Sequence, residues 1–399
     1  MLAGAYPAFM LSSFSVIKSL KGRSKQGGGT NFRHVLVTFQ FAISVFLISG
    51  TLIISKQLSY ILNKDIGLQR DNVISVDLSG SLYGKKEVYM NSLRSIPEVK
   101  DVTLSSASPI NLDMSTGGAK WPGKDPDMVV EINVLSVNEN FAKTMGIKIV
   151  EGEDFYNDFV RDSTRFLINE VLAEIMGFDD PVGKQLTMWG TTGTIAGVVG
   201  NFHMARMYDP IAPLIIRYSN ADAGTAFIRI SGDTHNALLA IEHTTKAINP
   251  AFPFRYQFLD DDFARQYRGE RTVSMLVNVF AGLSMFIGCL GLLGLSSFSA
   301  DQRAKEIGIR KVHGASVSSL VMLLSKQYAK LMIIAFVVAT PLSYFYMKRW
   351  LEDFAYRIDM NVALFMVAGI LTFAIGTLTV SCKSYLAALA NPAKTLKEE

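Results

Sequence analysis

The chain has 399 residues, of which 49% are hydrophobic and only 19% charged, with a formal net charge of +4. That is too apolar for an ordinary soluble enzyme of this length. The mild basicity does not point to nucleic acid either: residues 63–271 hold about 21 basic and about 28 acidic side chains, a net near −7 that leaves the remainder near +11.

In chain order, residues 1–34 read as the cytoplasmic tail of a preceding helix and a basic linker, with Gly27, Gly28 and Gly29 as its flexible part. The stretch PAFMLSSFSVIKSLKG (7–22) resembles KSYLAALANPAKTLKE (383–398), with Lys18, Leu20 and Lys21 falling on Lys394, Leu396 and Lys397. Either these are two unrelated amphipathic tails, or the chain is the second half of a duplicated membrane protein. The first residues lack a basic n-region and a cleavage site, so the first apolar run reads as an uncleaved anchor.

Four runs are long enough to cross a bilayer, which takes roughly 20 residues. They are 35–62, the second half of 261–299, 327–347 and 362–383; the stretches 35–55 and 272–299 carry no charge. Residues 317–330 can extend the third run, and Pro341 inside it is tolerated in a membrane helix. Lys18, Lys21, Arg23, Lys25 and Arg33 precede the first run without an acid among them, the loop 300–326 is basic, and Lys383, Lys394 and Lys397 follow the last run. The positive-inside bias therefore puts both termini in the cytoplasm and 63–271 outside, in a multi-pass protein of the cytoplasmic membrane. The loop 348–361 is balanced in charge and belongs outside.

The segment 63–260 reads as α+β. NVISVDL, KKEVYMNSLRSI and VKDVTLSSA alternate strand, helix and strand, and AFIRI, DTHNALLAIEHTTKAI and FRYQFLD repeat that order. Two such units suggest a split β-α-β subdomain, with a strand- and turn-rich insertion over about 111–218 forming a second, β-rich subdomain. From Asp260 to Ser299 the helical pattern runs on without a break, which predicts a stalk of about 60 Å leading into the second span.

Little points to catalysis. GFDDPVGKQ (177–185) has one residue too many between its glycines and Gln185 in place of the magnesium-binding hydroxyl, so it reads as a turn before a strand. Cys289 and Cys382 fall in different spans, and the five histidines show no metal-ligand spacing. His203 reads as a structural histidine, and Asp260, Asp261 and Asp262 as a solvated cap rather than a calcium loop. In the second span Gly282, Ser284, Gly288, Gly291 and Gly294 are expected to permit close helix packing.

DQRAKEIGIRKVHGAS (301–316) is a charged island between two apolar runs. As a helix it gathers Ile307, Ile309 and Val312 on one side and rings them with Arg303, Lys305, Glu306, Arg310 and Lys311. Gly314 is placed to end it, with Arg310 and Lys311 at its negative end. The pattern fits a helix pressed into a groove of a partner protein or one lying on anionic lipid.

The order of parts, together with NEVLAEIMGFDDPVGKQL, GTIAGVVGNFHMARMYDPIAPLIIRY, KEIGIRKVHGA and LANPAKTLK, resembles the MacB/FtsX type of ABC transporter permease. The resemblance covers nearly the whole chain and implies a MacB-like periplasmic core domain followed by an FtsX-like permease domain. It implies four membrane helices paired with a second permease half, in the same chain or a homodimer. It makes 301–316 the coupling helix toward an ABC ATP-binding subunit, with no cofactor on this chain and ATP with magnesium used by that partner. The expected function is mechanotransmission for export of a peptide, drug or lipoprotein; the alternative is activation of an extracytoplasmic cell-wall hydrolase without transport.

Overall fold

The computed structural model describes residues 27–155 and 159–389; the likeness between the two chain ends lies outside the described residues. In chain order, helix α1 (Gly27–Asn63) leads to strand β1 (Val73–Asp77), helices α2 (Ser81–Gly84) and α3 (Lys86–Arg94), and β2 (Val99–Ser105). The middle supplies β3 (Ser115–Thr116), β4 (Ile132–Val137), α4 (Phe141–Met145), β5 (Ile149–Gly152), α5 (Phe159–Asp162) and β6 (Arg165–Asn169). There follow α6 (Glu170–Met176), β7 (Gln185–Met188), β8 (Thr191–Val199) and β9 (Leu214–Tyr218). Next come β10 (Thr225–Ile230), α7 (Thr234–Ile248), β11 (Gln257–Phe258) and α8 (Leu259–Arg265). Helices α9 (Arg268–Gln302), α10 (Ala304–Val312), α11 (Val317–Glu352) and α12 (Val362–Leu389) complete it.

Two compact units emerge: a helical one, running through Ser55 and comprising Val273–Arg349 and the residues from Asp359, and a sheet-rich head, Lys56–Thr272 with Trp350–Ile358. Four helices are long and apolar enough to span a membrane: Phe32–Asn63, Arg268–Gln302, Val317–Glu352 and Val362–Leu386. Gly27–Gly29, read from sequence as linker, form the first turn of α1.

In the head the strand order is β11-β1-β10-β2-β4-β9-β6-β8-β5, a single continuous path through both subdomains. The first four strands pair antiparallel throughout, the arrangement of a split β-α-β fold. The sequence periodicity explains its core. Ile74, Val76, Val102, Leu104 and Ile228 alternate onto one face of the sheet and meet Tyr89 and Leu93 of α3 and Ala237 and Ile241 of α7. Asp233 caps α7 by accepting from the N–H groups of His235 (2.8 Å) and Asn236 (3.3 Å). The inserted subdomain joins through one ladder pair, Ser105 with Val137, and then runs as a mixed sheet. Its hairpin β7–β8 turns at Trp189 and Gly190, both at positive φ (48° and 80°). FRYQFLD contributes a strand of only two residues.

The uninterrupted stalk is not there. Helix α8 stops at Arg265, and Gln266 and Tyr267 separate it from α9. Leu259 and Phe263 of α8 are buried in the head core beside Tyr267, whose hydroxyl accepts from the N–H of Met207 at 2.8 Å. The turn between α8 and α9 thus coincides with a tertiary anchor on the head core.

Candidate functional site: the short helix between the second and third spans

Helix α10 ends as its sequence dictates. Gly314 takes φ +86°, the Ala315 N–H donates to the Arg310 carbonyl at 3.0 Å, and the Gly314 N–H donates to the Lys311 carbonyl at 3.1 Å. These are the paired bonds of a Schellman cap. Glu306 and Arg310, one turn apart, form an ion pair at 2.7 Å. Glu306 lies in the first turn, which also carries Lys305, and Arg310 and Lys311 lie in the last, so charge follows the helix dipole.

The three apolar residues do not share one outward face. Ile307 is buried among Leu320 and Leu324 of α11, so it fastens α10 to the third span. Ile309 and Val312 are 52% and 66% exposed and form the outward apolar surface. Arg303, just before the helix, donates to Gln327 Oε1 at 3.4 Å, and the Gln327 amide meets the His34 ring of α1 at 3.0 Å. The loop is thereby tied to the first and third spans by one polar chain. No reacting group is built here: the arrangement offers a small amphipathic surface on a fixed base.

The small residues of α9 divide as well. A Cβ on Gly288 would stand 3.3 Å from the Phe41 ring, and one on Gly291 would stand 2.9 Å from Gln40 Oε1. The Ser284 hydroxyl lies 2.9 Å from that of Ser44. These three residues pack α9 against α1. A Cβ on Gly282 or Gly294 would meet nothing within 4 Å among the described residues, so close packing does not require a glycine at either position. Two glycines of α12 that the sequence reading passed over do pack: a Cβ on Gly369 would fall 2.4 Å from Phe336, and one on Gly376 would fall 2.4 Å from Met332.

Sequence reasoning also missed the loop that follows α11. Residues Trp350–Ile358 are part of the head. Phe354 is 1% exposed, stacks on Tyr208 with centroids 4.4 Å apart, and meets Trp350 edge-on. The Gln57 side chain brackets the loop: its amide donates to the Tyr356 carbonyl and its Oε1 accepts from the Ile358 N–H, both at 2.9 Å. His203 sets its ring at right angles to Tyr356, 4.4 Å away. Burial, with Lys64 adding to it, lowers the imidazole pKa to about 4, so the ring is neutral at physiological pH. Tyr208 donates to Glu270 in the first turn of α9, where a carboxylate suits the dipole.

Among the described residues no group of three His, Cys, Asp or Glu side chains could hold a metal ion. Asp260, Asp261 and Asp262 sit in the first turn of α8, Asp262 pairing with Arg265 at 3.0 Å. Gly183 takes φ +82° in the turn just before β7.

Comparison with known proteins gives two domain matches: the MacB-like periplasmic core domain over residues 35–240, and the FtsX-like permease C-terminal domain over 278–392. The macrolide export ATP-binding/permease protein MacB of Neisseria gonorrhoeae is 21% identical over 292 residues, 70% of this chain and 45% of its own length. The uncharacterized ABC transporter permease YknZ of Bacillus subtilis is 22% identical over 239 residues, 57% of each chain. The MacB protein of Hahella chejuensis is 22% identical over 216 residues, 49% of this chain and 32% of its own. The chain thus spans from about a third to just over half the length of these curated relatives. Among solved structures, the periplasmic region of MacB from Actinobacillus actinomycetemcomitans is 15% identical with a TM-score of 0.37, covering 50% of this chain and 95% of that one. The extracellular domain of YknZ is 17% identical with a TM-score of 0.34, covering 47% and 98%.

Proposed function

The chain belongs to the MacB/FtsX-type permeases of ABC transporters, and we propose that within that family it converts ATP hydrolysis by a separate ATP-binding subunit into movement of its extracytoplasmic head. The cargo is a peptide, drug or lipoprotein already outside the membrane. The termini and loop 300–326 face the cytoplasm, residues 63–271 face outward, and a second permease half completes the working unit. The ATP and magnesium are held by the partner, which docks on Ile309 and Val312 of α10 with the surrounding charges fixing its orientation.

One observation carries this reading. Helix α11 is uninterrupted from Val317 to Glu352; near its start Leu320 and Leu324 bury Ile307 of α10, and at its end Trp350 and Phe354 enter the head core. A push on α10 is therefore received by an element whose far end is part of the head. The short segment mixes Asp301 and Glu306 with its four basic residues, a pattern of both signs that suits orientation on a protein surface.

The test is a detergent pull-down of the chain with its ATP-binding subunit. Ile309→Glu combined with Val312→Glu is expected to abolish co-purification, and with it any stimulation of ATPase rate, while the chain still inserts. Ile307→Ala is expected to weaken the helix's attachment and lower thermal stability without removing the docking residues. Full retention of the ATPase by the double variant would defeat the proposal.

A further inference from the structure

A cleft of about 760 Å³ opens in the head where α3, the end of β4 and the turn after β9 meet. That lies within the roughly 300–1,000 Å³ of small-molecule sites. Its floor is apolar, formed by buried Met90 and Leu104.

Its walls are polar and already fixed. Lys86 Nζ donates to the carbonyls of Asn220 (2.8 Å) and Ala221 (3.1 Å) and lies 3.9 Å from the centroid of Tyr83. The Tyr83 hydroxyl donates to the same Ala221 carbonyl at 2.9 Å. Arg94 pairs with Glu139 at 2.6 Å. Asn138 is held in place: its Oδ1 accepts from the Thr103 hydroxyl (2.9 Å) and the Leu104 N–H (2.6 Å), and its amide nitrogen meets the Met90 sulfur at 3.0 Å. A cleft held this way needs little ordering when a ligand arrives.

Three polar groups remain for a ligand. Lys85 is exposed and has no ion pair among the described residues. Asn91 stands exposed on the rim. Asn220 has a buried Oδ1 without a hydrogen-bond partner, and its amide nitrogen has only a 3.5 Å contact with the Tyr218 hydroxyl. An ammonium, two amides that both donate and accept, and exposed apolar surface form a specific set. We propose that this cleft binds a short peptide bearing a carboxylate. The carboxylate meets Lys85, the peptide's N–H and C=O groups meet Asn91 and Asn220, and one apolar side chain lies against exposed Tyr83 and Val88. A purely apolar compound leaves the Asn220 amide uncompensated, and an ionised phosphate monoester offers no N–H donor to the unpartnered Asn220 Oδ1.

This site lies beyond the docking reading and is tested without any ATPase, so each can fail alone. The full chain in lipid nanodiscs is titrated calorimetrically with the tetrapeptide Ala-Leu-Ala-Glu and with its uncharged counterpart Ala-Leu-Ala-Gln amide. One saturable site is expected for the acid, with affinity falling by about tenfold for the uncharged peptide and for Lys85→Glu. Asn91→Trp, which fills the mouth of the cleft, is expected to eliminate binding. On the unsubstituted chain, the acid peptide is expected to protect Lys85 but not the exposed Lys100 from acylation by an N-hydroxysuccinimide ester. Absence of saturable binding up to millimolar peptide, or equal labelling of Lys85 with and without it, would overturn the proposal; so would unchanged affinity in both variants.

Discussion

The head and the helical unit use the same large apolar residues in opposite ways. In the head, Phe141, Phe166, Phe227 and Tyr267 are at most 2% exposed, whereas in the helical unit Val337, Phe345, Ile370 and Leu378 are 60% exposed or more. Water drives the first set inward. Lipid tails are as apolar as leucine and exert no such drive on the second, so packing and polar contacts decide how spans associate. Bulk hydrophobicity therefore locates the core of the head but says nothing about which span touches which. In the helical unit that information sits in small and polar residues: Gly288 against Phe41, Gly376 against Met332, the Ser44–Ser284 pair, and Tyr328 donating to Ser299 at 2.9 Å.

The sharpest way to break this contrast is to truncate one aromatic in each unit. Phe227→Ala in the head is expected to cost about 3–5 kcal/mol, while Phe345→Ala on the lipid-facing surface stays within about 0.5 kcal/mol. Denaturant unfolding in a single detergent measures both, and equal costs would refute the contrast. The complementary test adds bulk at glycines. Gly369→Leu is expected to lower stability by about 1–3 kcal/mol through collision with Phe336, and Gly282→Leu, with open space around it, to leave the thermal transition of the isolated chain unchanged.

A smaller effect separates the units by pH. The His203 pKa is lowered from 6.5 to about 4 in the folded head, so between those values the unfolded chain binds the extra proton. Stability is then full above about pH 6.5 and falls progressively as the pH approaches 4. His203→Gln should flatten that slope in a pH series of melting curves, whereas a slope that survives the substitution would place its origin in other groups.

Much of the head was legible because its strands alternate and its helices are capped. The two β-α-β units follow from local pattern. What escaped has long-range causes. No proline marks the turn at Gln266 and Tyr267, and the turn coincides with a long-range anchor, the Met207 N–H donating to the Tyr267 hydroxyl 60 residues away. The expected docking face of α10 split because periodicity groups Ile307 with Ile309 and Val312 but cannot tell that Leu320 and Leu324 claim the first. Glycine spacing in α9 likewise proposes an interface without saying which edge of the helix another span covers. The loop after α11 gave no signal: it is short and charge-balanced, and its partner Gln57 lies about 300 residues away.

That loop has a practical consequence for anyone who wishes to study the head alone. A soluble fragment cut at the boundaries of the segment between the first two spans would lack Phe354 and Tyr356, and with them Gln57 of the first span; Tyr208 and His203 would face an aromatic-sized void, and the Met207 and Tyr208 carbonyls would lose the N–H groups of Tyr356 and Ala355. Supplying residues 350–358 through a short tether, or as a synthetic nonapeptide, would refill it. The size of the rescue would report how much of the domain's integrity resides in nine residues that lie outside its contiguous sequence.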